Sequence, residues 1–351
     1  MTRSVSSLLL ILACFWVPQS LYGQYVYVRL SVKYILNASN NRPSGFYTQE
    51  TNILNIIEGT NRAMERWGRG YRYVVTEFRN VANAPQFFDV QNDAEYRSLE
   101  NSAEANPGQF FWRTDAVNVF IVNGLFAGGA AAAIPSCTSC GDTGYRLVIF
   151  TVNPNPNDVI WAHELGHHFD LYHTFSGGAA GDFVVDTRPD PSPHQCNGAF
   201  TCNLGGADEC CCTVKVNNLV SASTAGGWSS QEFGDIRFNL MSYYGPCPPV
   251  ATYDNIRLTE GQLDRWTDAT RRYHPGEVSG LTWFVDRTNL QQPPQDGYSN
   301  NPYRTVVAGI NAATTPGERI VSIRSGTYDE QFTTGQRVTL RATRGWVTIG
   351  R

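Results

Sequence analysis

Three histidines constrain this chain more than any other feature. His163, Glu164 and His167 form an H-E-x-x-H run, and His173 follows six residues later. On a helix, residues four apart share a face, so the imidazoles of His163 and His167 would project toward a single ion. Glu164, one position on, lies within reach of a water on that ion. Three protein nitrogens with one position left open make a catalytic zinc site, whereas a structural site is closed by a fourth protein ligand. The five-residue run alone arises by chance on amphipathic helices, and the third histidine sharpens it.

The third histidine also dictates the backbone. In an unbroken helix His173 would stand roughly 240° round the axis and about 9 Å along it from His167. It could not then share the ion, so the chain must turn sharply between them. In the metzincin zinc peptidases, which this pattern resembles, that turn is made at a glycine. Here the position holds Asp170. Aspartate tolerates a left-handed backbone better than most non-glycine residues. Alternatively, Asp170 orients a ligand histidine from behind.

A second match lies far downstream, in Asn239-Leu240-Met241-Ser242-Tyr243. Met241 resembles the methionine of the metzincin Met-turn beneath the metal, and Tyr243 matches a tyrosine used in several families of that clan. His163–Phe175 (HELGHHFDLYHTF), Gly181–Thr187 and Leu258–Gln262 together resemble the pappalysin-like, or cytophagalysin, metalloproteases. The similarity runs over roughly residues 115–275, following the periodic segments. The resemblance implies a secreted zinc endopeptidase, with structural calcium and disulfides common in the family.

Composition narrows the alternatives. The 351 residues carry a formal net charge of -4 and no basic cluster, which gives nucleic acid no footing. A hydrophobic content of 42% is enough for a real core. Arg3 precedes an apolar run, Leu8–Val17, closed by Pro18. That run is too short to span a bilayer and has the layout of a secretory signal over residues 1–23, with cleavage after Gly23. Bulky Leu12 argues against a lipoprotein anchored at Cys14. Of nine cysteines, removal of Cys14 leaves Cys137, Cys140, Cys196, Cys202, Cys210, Cys211, Cys212 and Cys247. An even number in an exported chain points to disulfides, with no basis in sequence for choosing the pairing. A second zinc site built from Cys137-x-x-Cys140 and the Cys210–Cys212 run is the competing idea, and export argues against it.

The expected fold is α+β: a metzincin-like peptidase domain over residues 24–280, with a mixed twisted sheet above an active-site helix. Strands are expected at Tyr25–Val32, Tyr71–Val81, Ala116–Val122 and Arg146–Val152, and an amphipathic helix over Thr48–Trp67. Arg146–Val152 is the candidate substrate-binding edge, against an ordinary paired strand. Gly124–Ile134 reads as a surface loop, and Asn157 or Asp158 as the cap of the metal helix. Residues 281–302, rich in Asn, Gln and Pro, suggest a linker. Residues 303–351 form a small β-rich appendage whose Gly317–Glu330 phrase resembles the first rung of a parallel β-helix. That appendage holds fewer repeats than such architectures usually need. Strand-like sequence from Tyr25 leaves little room for an inhibitory propeptide after the signal.

The chemistry follows from the motif. Zn²⁺ on His163, His167 and His173 would activate water, with Glu164 as general base and Tyr243 stabilising the oxyanion. The substrate would be a protein or peptide. Asp182 and Asp186 are candidates for Ca²⁺, with a solvated loop as the equal alternative. His168, His194 and His274 read as surface residues or as supports behind the ligands. The different-class alternative is a catalytically weak, peptidase-shaped binding or adhesion protein. No membrane span is expected, and nothing in the sequence bears on oligomeric state.

Overall fold

The computed structural model describes residues 25–124, 130–132, 134–137, 147–151, 159–176, 181–187, 238–242 and 251–350. Its first sheet contains β1 (Val26–Ile35), β2 (Tyr71–Val81), β3 (Val117–Val122), β4 (Ala130–Ala132) and β5 (Leu147–Thr151). Their order is β2-β1-β3-β5-β4. β1 runs parallel to β2 and β3, β3 parallel to β5, and only β4 is antiparallel to its neighbour. Every residue of β3 is buried, as expected for the middle strand of a parallel sheet covered on both faces.

Two helices account for that cover. α1 (Glu50–Trp67) lays Ile53, Ile56, Ile57 and Met64 on the face that also carries Val28, Leu30, Val119 and Phe150. These positions repeat at helical spacing, so the helix forms because it can bury one stripe. α2 (Asp93–Ala105) covers the opposite face with Tyr96, Leu99 and Ala103 against Phe120 and Ile149. It starts where the Asn92 side chain accepts from Glu95 N at 3.1 Å. A one-turn helix, α3 (Pro107–Phe110), follows. The metal-motif helix is α4 (Ile160–His168), and α5 (Glu260–Arg272) packs behind it.

Two expectations change here. Arg146–Val152 contains β5, an interior strand between β3 and β4, so it is not the edge. Among the described strands the sheet ends in β2 and β4, and β4 is drawn from the Gly/Ala-rich segment expected to be a loop. Small side chains hid it, since a strand of alanines has no apolar alternation.

The C-terminal part is a second sheet of three parallel strands, β6 (Gly280–Val285), β7 (Glu318–Tyr328) and β8 (Thr339–Ile349). A short helix, α6 (Val306–Ala312), lies between β6 and β7 in sequence and packs Val306 and Ile310 on Val285 and Val321. The segment expected as a linker, 281–302, supplies β6, and the rest of it is bonded to its surroundings. Ser299 N donates to the Asp268 carboxylate at 3.0 Å and Tyr303 N to Phe284 O at 2.9 Å.

An ion cluster joins this sheet to α5 and to Arg69. Buried Asp264 on α5 receives Arg69 at 2.7 Å, Arg344 at 2.6 Å and Arg324 at 3.1 Å. Arg324 lies on β7 and Arg344 on β8. Val28 also bridges Val278, and Ser279 N donates to Tyr27 O at 2.8 Å. No described helix is long and apolar enough to cross a membrane.

Candidate metal centre

α4 is oriented by its apolar stripe. Trp161, Leu165 and Phe169, spaced four apart, are fully buried. Trp161 stacks flat on Phe150 of β5, ring centroids 4.0 Å apart. With that face held in the core, His163 and His167 occupy the other side of the helix. The helix begins after Val159, which provides no side-chain cap, and the expected caps Asn157 and Asp158 lie outside the described residues.

The helix ends by a Schellman turn. Leu171 N donates to Gly166 O at 3.0 Å and Asp170 N to His167 O at 2.9 Å. Asp170 takes the left-handed position of that motif, φ 70°. The reversal brings His173 back over the helix. The Nε2 atoms then meet: His163 to His167 at 3.1 Å, His163 to His173 at 3.2 Å, His167 to His173 at 3.0 Å.

The protonated nitrogens of His163 and His167 are identifiable. Nδ1 of His163 donates to Leu240 O and Nδ1 of His167 to Leu171 O, each at 2.7 Å. A carbonyl can only accept, so each Nδ1 carries the proton and each Nε2 presents a lone pair. Burial pushes the His163 imidazole below its usual range and the His167 imidazole down to about 3, so both stay neutral. Lone pairs gathered this closely repel unless a cation sits among them. A tetrahedral ion with nitrogens at 2.0–2.1 Å sets its ligand atoms roughly 3.3 Å apart. The donor set therefore fits zinc.

The Met-turn expectation concerns what lies underneath. Met241 is fully buried, and a Cβ on Gly166 would fall 2.8 Å from its Sδ. Glycine at 166 is what lets the methionine close on the helix. Asn239 holds the turn, accepting from Met241 N at 2.9 Å and donating to Gln262 Oε1 at 2.8 Å. Gln262 is part of the Thr259 capping box of α5, and its Nε2 donates to Asp182 at 2.7 Å. Glu164 follows His163 on α4 and is buried. Tyr243 and His194 lie outside the described residues.

Asp182 and Asp186 fall at the start of α5. Asp182 also accepts from Val184 N at 3.0 Å, and burial raises its carboxyl to about 6. Asp186 accepts from Gly261 N at 2.8 Å, an anion at a helix N-terminus.

His168 and His274 are not surface residues: they are 1% and 7% exposed. They stack with ring centroids 4.1 Å apart, and both meet Glu277 Oε2, at 2.7 and 3.2 Å. Sequence reasoning missed this cluster because Glu277 sits far along the chain in an irregular segment. It also missed Ser136 and Arg265, and gave no role to Asn239 and Gln262 within the motifs that contain them. The T-x-x-Q capping signal at Thr259 was the one available clue to Gln262. Cys137 is disulfide-bonded, and the other cysteines expected in the exported chain lie outside the described residues.

No family model matches the chain. Over 195 residues it is 25% identical to an extracellular metalloprotease of Podospora anserina, covering 52% of this chain and 61% of that protein. The chain thus spans less than two thirds of that relative. Among solved structures, mirolysin in complex with compound 9 shares 15% identity over 73% of this chain and 96% of its own, TM-score 0.41. Tannerella forsythia mature mirolysin in complex with a cleaved peptide gives 15% identity over the same shares and a TM-score of 0.40.

Proposed function

We propose that this protein is a secreted, zinc-dependent endopeptidase of the metzincin clan and of pappalysin-like type, acting on proteins or peptides. One observation carries the reading: the Nε2 atoms of three buried or half-buried imidazoles lie within 3.2 Å of one another. The similarity to an extracellular metalloprotease supports it. His163, His167 and His173 would hold the ion, leaving a position for solvent. Bound zinc supplies a water acidified toward a pKa of about 7 and a polarised scissile carbonyl.

The protein's own groups do the rest. Glu164 takes the proton of the attacking water and returns it to the leaving amine. Tyr243 donates a hydrogen bond to the carbonyl oxygen as charge develops there. β4, at the end of the sheet order, offers an edge for an extended peptide. Calcium, if bound, would engage the carboxylates of Asp182 and Asp186, which already accept hydrogen bonds from the first turn of α5.

The test is a casein digest with Glu164→Gln and Glu164→Ala protein. Both should fall roughly 10²–10⁴-fold in kcat/KM, the range for loss of a general base. Chelated wild type should lose activity and regain it with zinc. A Glu164→Ala protein as fast as wild type would rule out the peptidase and favour a peptidase-shaped binding protein.

A further inference from the structure

We infer that Arg265, reaching from α5, is the positioning residue that aims two of the three zinc ligands, in partnership with Asp170. The inference rests on the zinc-site reading above and deepens it.

The turn between His167 and His173 has an unusual residue at its left-handed position, and the structure shows what it gains. Asp170 is buried, and its side chain is fully engaged. Oδ1 accepts from Ser136 N at 2.8 Å, and Oδ2 accepts from Arg265 at 3.0–3.1 Å. The Arg265 Nε also donates to the Asp170 carbonyl at 2.6 Å. A glycine could adopt the same backbone and make none of the side-chain contacts.

Arg265 holds the other flank of the turn too. Its guanidinium carbon lies 4.7 Å over the Tyr172 ring, and its Nη2 donates to Ser136 Oγ at 2.9 Å. That hydroxyl meets Tyr172 OH at 3.0 Å. One guanidinium therefore clamps residues 170 and 172 together.

Between them sits Leu171, whose carbonyl takes the Nδ1 proton of His167. Fixing Asp170 and Tyr172 fixes that carbonyl, hence the tautomer and tilt of the His167 ring. The next residue after Tyr172 is His173. A planar fork suits this work, because it can engage a side chain, a backbone oxygen and a ring at once.

The experiment measures metal affinity and geometry, not only turnover. Arg265→Met and Asp170→Asn proteins are compared with wild type by competition for zinc against a chelator, and by the visible spectrum of the cobalt-substituted forms. Thermal unfolding of the metal-free proteins is followed in parallel. Asp170→Asn keeps a residue tolerant of positive φ and an acceptor for Ser136, so it folds even if Arg265→Met does not. We expect zinc affinity to fall about 10–100-fold in each variant, the usual effect of losing a group behind a ligand. The cobalt band should broaden or shift, Arg265→Lys should restore only part of the loss, and the double variant should lose less than the two singles combined.

Wild-type zinc affinity with an unchanged cobalt spectrum in Asp170→Asn and Arg265→Met would overturn the inference. A wild-type protein that binds no zinc would instead overturn the site itself, so the two failures are distinguishable.

Discussion

Neighbouring histidines on one helix, His167 and His168, end in clusters of opposite character. His167 joins two other imidazoles nitrogen to nitrogen, at 3.0 and 3.1 Å. His168 joins His274 around a carboxylate, and its close approach is nitrogen to oxygen, 2.7 Å from Glu277. Acceptors facing acceptors need a cation. Donors facing a carboxylate need only their own protons.

The second cluster is accordingly self-contained. Burial works to raise the Glu277 carboxyl, but the two imidazoles beside it outweigh burial and hold it well below the usual carboxylate range. Burial keeps His168 below its ordinary value, with Glu277 pulling the other way. Two imidazole N–H groups donating to one carboxylate account for the low Glu277 carboxyl. His274 Nε2 has no hydrogen-bond partner among the described residues, as expected of a buried lone pair on a ring that donates through Nδ1. Glu277 adjoins Val278, which bridges β1. One cluster gathers ring nitrogens that could hold a cation, and the other ties the end of its helix to the sheet.

The sharpest way to break this contrast is metal analysis. His167→Ala should abolish zinc retention and proteolysis together, whereas His274→Ala should leave zinc content unchanged. Zinc lost in His274→Ala protein that is otherwise folded would show that the second cluster also holds metal.

Glu277→Ala comes next. It strands two buried imidazole donors, and stability should fall by roughly 3 kcal/mol in denaturant titration, with zinc content intact. The pH arm follows from the sign of the shifts. A depressed Glu277 stabilises the fold above its unfolded value of 4.5, and that contribution is lost as pH falls below it. His168, lowered from 6.5, works in the same direction, since the unfolded chain takes up its proton first. Wild type should therefore lose stability on acidification more steeply than Glu277→Gln. Parallel curves would contradict the assignment.

The smallest effect belongs to the floor of the metal site. Gly166→Ala places a methyl 2.8 Å from Met241 Sδ. Overpacking of this kind costs about 1–3 kcal/mol. Because Met241 and Leu171 both press on this position, calorimetry should show the loss together with a modest weakening of zinc binding. An unchanged melting curve would mean that the methionine simply swings aside.

Much of this was legible in the chain. The H-E-x-x-H spacing, the distant third histidine and the methionine turn all report local geometry, and local geometry survives as pattern. The buried strands β1 and β3 and the stripe of α1 were equally plain, because burial on a regular element forces a period. β4 was not, since alanines carry no period. Nor was α2, whose stripe is only Tyr96, Leu99 and Ala103. The expected linker concealed β6 because its Asn- and Pro-rich remainder is held by side-chain bonds that composition does not reveal.

The sequence alone picked out three candidate ligand histidines and the need for a turn between them, since six residues on a helix place His173 on the wrong side. Only the tertiary structure decided what holds that turn. Arg265 and Ser136 come from separate parts of the chain, and nothing local to either points at Asp170. It also decided that His168 belongs with Glu277 and not with the three-histidine group. Which neighbour a buried polar group meets depends on contacts remote in sequence, and a one-dimensional pattern carries no record of them.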